Sequence, residues 1–105
     1  IPGHVWQGEY ANKLPLIRTL LSFSAYSEGW ALYAEQLADE LSVYADDPAG
    51  RLGYLDSIAF RACRLVVDTG LHHKRWTREQ ARAYFLEQVG NENASEVDRY
   101  CSWPG

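Results

Sequence analysis

An imidazole at His4 and a carboxylate at Glu28 stand twenty-four residues apart in a helix-rich stretch of this chain. Imidazole nitrogen and carboxylate oxygen are habitual ligands of a hydrolytic zinc ion. Such an ion takes three protein ligands, keeps one position for water and lowers that water's pKa to about 7. His72 and His73 are the other nitrogen donors. No H-E-x-x-H helix is present, so residue types alone do not make this a metalloprotein. A histidine after Pro2-Gly3 is more often structural, and an acidic residue early in a helix is stabilised by the dipole without any ligand. Against that bland reading, the helical face of Glu28 also carries Ala31, Leu32 and Glu35, a mixture too apolar for a fully solvated surface. That mixture would turn the carboxylate toward protein or a cleft, and periodicity alone does not choose between the two readings.

The elements that must position these groups are all helices. From Tyr26 to Tyr44 the apolar residues Trp30, Tyr33, Ala34, Leu37, Leu41 and Tyr44 recur at helical spacing and predict one continuous stripe. Asp47-Pro48 starts a helix, the Asp47 side chain capping orphan N–H groups and the proline having no donor to waste. It should run to about Gly70, and its middle, Ile58 to Val67, is apolar nearly all round, the pattern of a buried central helix. Arg64 and Asp68 are spaced to pair on it. Thr77-Arg78-Glu79-Gln80 reads as a capping box, with Trp76 placed to staple against Ala81, and Gly90 stops that helix. Asn93-Ala94-Ser95-Glu96 repeats the capping logic ahead of a last helix carrying Val97, Tyr100 and Cys101, which Pro104 ends. His4 to about Lys13 is helical too, although Gly8 weakens it. The expectation is an all-α, bundle-like fold and a single helical domain over 1–105.

Composition narrows the function classes. A net charge of −4 gives no basic footprint for nucleic acid. No apolar stretch reaches the roughly 18 residues that span a bilayer. Hydrophobic content of 47% with 13% aromatics implies a dense core, an apolar face awaiting a neighbour, or some of both. Cys63 and Cys101 form no CxxC pair or zinc-finger spacing, and a disulfide between them cannot be deduced. The chain begins at Ile1 and contains no methionine, so residues ahead of His4 are expected to be missing.

Four ordered signatures carry a family resemblance: Pro2-Gly3-His4-x-x-Gln7; Glu28-Gly29-Trp30-Ala31-Leu32-Tyr33-Ala34-Glu35; Asp68-Thr69-Gly70-Leu71-His72; and Arg99-Tyr100-x-x-Trp103-Pro104-Gly105. Together they resemble the domain-of-unknown-function family eight-eight-five over essentially the whole chain. The resemblance implies the C-terminal fragment of a larger, mainly helical zinc metallopeptidase acting on peptide or amide bonds. The family's first signature normally reads His-Glu-x-x-Pro-Gly-His, which puts Ile1 at its second x. Carried over, His4 becomes the second zinc-ligand histidine and Glu28 the third ligand. The first histidine and the general-base glutamate fall just before Ile1. The family also continues past its Pro-Gly, so both ends are expected to be cut and the fragment to be inactive alone.

His72 matches the family's Gly-Leu-His, and the resemblance makes it a donor to a substrate carbonyl or developing oxyanion. Tyr100 could do the same with its phenol, and Arg99 could meet a substrate carboxylate. A core tyrosine and a solvated arginine are the plain alternatives. His73 is by default a helix-end cation. Gln7 and Glu35 could orient a ligand, with a surface salt bridge as the other reading of Glu35. The competing function is a non-catalytic helical interaction module, in which Trp6, Trp30, Trp76 and Trp103 mark an interface with the remainder of the parent domain or a second copy.

Overall fold

The computed structural model describes residues 2–21 and 23–103, and no strand occurs among them. The fold is all-α, with helices α1 (Pro2–Ala11), α2 (Leu16–Leu20), α3 (Ser24–Glu40), α4 (Pro48–His72), α5 (Arg78–Val89) and α6 (Ala94–Ser102). Two compact units emerge, Ile1–Arg51 and Leu52–Gly105. None of the helices among the described residues is long and apolar enough to cross a membrane.

In the first unit, α1 packs on α3 through small residues. Gly3 is buried against Ala31 and Ala34, so closely that a Cβ on Gly3 would lie 2.8 Å from the Ala34 Cβ. The Trp30 indole N–H donates to the Gly3 carbonyl at 2.9 Å and locks the crossing. The half-buried residues of α3 are Ser27, Trp30, Ala31, Ala34, Glu35, Leu37, Ala38 and Asp39, following i, i+3, i+4 spacing. Tyr33 and Leu41, expected in the stripe, are exposed instead. The expected continuity to Tyr44 also fails, because α3 ends at Glu40. The Ser42 N–H donates to the Asp39 carbonyl and the Val43 N–H to the Ala38 carbonyl, each at 3.0 Å, with Ser42 at φ +58°. This is a Schellman stop with serine where glycine is usual.

The second unit holds the core. Cys63 and Val67 of α4, Ala81 and Phe85 of α5, and Val97 and Tyr100 of α6 are buried together, with Phe60, Leu71, Trp76, Tyr84 and Val89 packed around them. Phe60 and Phe85 meet at 5.6 Å between ring centroids. Burying a side chain of that size contributes about 1.5–3 kcal/mol. The expected all-round burial of α4 is not observed. Its neighbours cover one stripe, and Leu52, Leu55, Ile58, Leu65 and Val66 remain exposed. Both cysteines are free thiols, Cys63 buried and Cys101 exposed.

Local signals fix the helix ends. Asp47 Oδ1 accepts from the Gly50 N–H at 2.9 Å, as a cap should. Thr77 and Gln80 form the complete capping box, and Gly90 at φ +72° closes α5. Trp76 folds back over α4, its main-chain N–H donating to the Gly70 carbonyl at 2.9 Å and its ring lying where a side chain on Gly70 would be. Asn93 does not cap α6. It sits at φ +45° and its amide turns back to the Asn91 carbonyl. Glu96, spaced to complete a second box, reaches Arg99 and Tyr100 instead. Pro104, expected to end α6, lies outside the described residues.

Candidate functional site

His4 and Glu28 are brought together by the α1–α3 crossing. His4 Nε2 lies 3.8 Å from Glu28 Oε2. The other ring nitrogen, Nδ1, lies 3.3 Å from Gln7 Oε1, one turn on along α1. The same Gln7 oxygen accepts from the Ser27 hydroxyl of α3 at 3.1 Å. The Gln7 oxygen can only accept, so Nδ1 donates to it and Nε2 is the ring nitrogen that faces Glu28. That is the arrangement by which an outer hydrogen bond fixes a ligand histidine's tautomer. Around a tetrahedral zinc, nitrogen and oxygen ligands stand about 3.4 Å apart. The 3.8 Å gap is thus within a small rotamer adjustment of two corners of such a site.

Both groups face outward, with Glu28 71% exposed, so its expected placement toward protein or a cleft is not observed in the first unit. The reason is the small-residue seam: burial falls on Ala31 and Ala34, and Glu28 lies at its edge. No group of three or more His, Cys, Asp or Glu residues that could hold a metal occurs among the described residues. An open cavity of about 440 Å³ in the same unit is lined by Asp39, Ser42, Tyr44, Ala45, Pro48 and Arg51, and includes none of the expected site residues.

His72, Arg99 and Tyr100 gather in the second unit. His72 Nε2 donates to the Tyr100 main-chain carbonyl at 2.8 Å, tying the end of α4 to α6. Asp68 Oδ1 lies 3.8 Å from the same nitrogen. Tyr100 is buried, and its phenol donates to Glu96 Oε2 at 2.7 Å. Arg99 reaches that oxygen at 2.6 Å. The bonds from Arg99 and then Tyr100 hold the Glu96 carboxyl below the usual carboxylate range. Burial, followed by the bond to ionised Glu96, pushes the Tyr100 phenol up. The cluster therefore contains an ionised carboxylate and a neutral phenol.

The chain matches a family over its full length, residues 1–105, under the description "Bacterial protein of unknown function (DUF885)". It belongs to the DUF885 family. No curated protein and no solved structure matches this DUF885 chain.

Three participants escaped sequence reasoning. Ser27 completes the Gln7 bridge, Glu96 joins Arg99 to Tyr100, and the Arg64 guanidinium lies 5.4 Å from the Tyr100 ring centroid. The i, i+4 spacing of Glu96 and Tyr100 was a usable signal for the second. Nothing in the spacing distinguishes Tyr100 from Asp68 as the partner of Arg64.

Proposed function

We propose that this DUF885 chain is the ligand-bearing part of a zinc-dependent peptidase, with His4 and Glu28 as two of the metal ligands. The observation carrying this reading is the His4 ring, oriented by Gln7 through Nδ1 and presenting Nε2 to the Glu28 carboxylate at 3.8 Å. These are the positions to which the motif resemblance carries the ligand roles. Zinc held there would polarise a scissile carbonyl and supply a water that ionises near neutral pH. Gln7 would hold the imidazole turned with Nε2 toward the metal position, and Ser27 holds Gln7. The remaining histidine and the glutamate that would move the proton are those the resemblance sets just ahead of Ile1, and hydrolysis requires them.

His72 is a positioning residue in this reading, because its Nε2 proton is committed to the Tyr100 carbonyl. Arg99, exposed and anchored on Glu96, remains available to a substrate. The test is peptide hydrolysis by a protein that includes the upstream His-Glu. Glu28→Gln should lower kcat/KM by more than the roughly 10–100-fold typical of losing a ligand's hydrogen-bond partner. Unchanged activity would overturn the assignment.

A second reading, an interaction module, draws on the exposed leucines: Leu16, Leu20 and Leu65 are each more than 70% accessible. Sedimentation of the chain at high concentration tests it, and a strict monomer counts against self-association.

A further inference from the structure

The covered residues of α1 are Gly3, Gln7 and Ala11, spaced four apart on the side that meets α3. Away from them, Val5, Trp6 and Tyr10 are each at least 59% accessible. The five-residue α2 has no buried residue at all, and its Leu16, Ile17 and Leu20 are 62–73% accessible. Leu21 and Phe23, just beyond it, are exposed as well. A helix of one or two turns is not stable in water by itself and depends on packing of its apolar side. Among the described residues nothing supplies that packing for α2.

Size and charge say what could cover it. At these exposures the large apolar side chains from Val5 to Phe23 present on the order of 1,000 Å², above the roughly 300–600 Å² of a typical monomer's largest patch and comparable to the roughly 800 Å² each partner gives a standard interface. The only charged residues in this stretch are Glu9, Lys13 and Arg18, so the net charge of −4 is carried elsewhere in the chain. Two copies can therefore meet here without opposing their like charges. Having both signs also makes the stretch self-complementary, because a two-fold axis can set Glu9 of each copy toward Lys13 or Arg18 of the other. A lipid surface is the poorer match, since it selects cationic, acid-free faces and repels a net-negative chain.

We propose, resting on the interaction reading, that the Val5–Phe23 stretch is the interface of a two-fold homodimer. Leu16, Ile17 and Leu20 of α2 form its apolar centre, and Glu9, Lys13 and Arg18 its polar rim. The occupant is a second copy of this chain, and the contact lies wholly within the first unit of each copy.

The test is sedimentation equilibrium of the full chain across a range of concentrations, together with Leu20→Glu and, as a control in the second unit, Leu65→Glu, both at exposed positions. The parent should form a reversible dimer. Leu20→Glu should raise its dissociation constant by at least about tenfold with helical content retained, and Leu65→Glu should leave it unchanged. A monomer at every concentration, species that grow beyond a dimer, or a dimer that Leu20→Glu does not weaken would overturn the proposal. Cosedimentation of a monomer with phosphatidylglycerol vesicles would assign the face to lipid and overturn it too. So would a protein that includes the upstream His-Glu and stays monomeric where this chain dimerises, because the upstream part would then be the occupant. A dimer broken by Leu65→Glu and not by Leu20→Glu would reject this surface yet keep the interaction reading, whereas a strict monomer would count against both.

Discussion

Gln7 holds His4 by the nitrogen that faces away from Glu28: Oε1 to Nδ1 is 3.3 Å, while Nε2 stands 3.8 Å from the carboxylate. The carboxamide is itself fixed from the neighbouring helix by Ser27. Gln7→Leu removes the acceptor and leaves the ring free to rotate or to change tautomer. Zinc affinity should then fall by about 10–100-fold while helical content is retained, as measured by competition with a chelator. An unaltered affinity would mean that the hydrogen bond has no part in preparing the ligand.

The α1–α3 crossing depends on the absence of a side chain at Gly3. Gly3→Ala would press a methyl group against the Ala34 Cβ and the Ala31 backbone, both on the rigid α3. The helices must then separate, lengthening the Trp30–Gly3 hydrogen bond. Overpacking of this kind costs about 1–3 kcal/mol. A lowered denaturation midpoint together with a shift in Trp30 fluorescence is the expected outcome. A variant as stable as the parent would show that the helices are not in such close contact.

Acid should weaken the second unit through Glu96. Arg99 and Tyr100 hold its ionised form, so its folded pKa is depressed, and the folded state binds fewer protons than the unfolded chain in the acid range. The stabilisation is present above the unfolded value of about 4.3 and is lost as pH falls from there through the depressed folded value. Partial exposure keeps the effect modest. Glu96→Gln should flatten the fall in denaturation midpoint below about pH 4.3. An equally steep fall in the variant would assign the acid sensitivity to other carboxylates.

Helix starts and stops were legible because their chemistry is local. Asp47 and the Gly50 N–H, or Thr77 and Gln80, meet within one turn, and the sequence spacing alone determines the contact. The buried face of α3 was not, because it is chosen by the neighbour: Gly3 selects Ala31 and Ala34, and the larger Tyr33 and Leu41 are left outside. Asn93 failed as a cap for a comparable reason, its backbone lying in the left-handed region with its amide bonded to Asn91. In the candidate site, the His4–Glu28 pairing was accessible from the motifs. The Gln7–Ser27 brace and the approach of Arg64 to the Tyr100 ring were not legible, since each joins residues from different helices among several partners of equal spacing.

The central claim is that His4 and Glu28 ligate one zinc ion, and the zinc dissociation constant of the protein and its Glu28→Gln variant tests it most directly. Loss of a ligand oxygen should weaken binding by at least about tenfold at neutral pH, with His4→Ala acting in the same direction. Identical zinc affinity in the parent and in Glu28→Gln would contradict the claim.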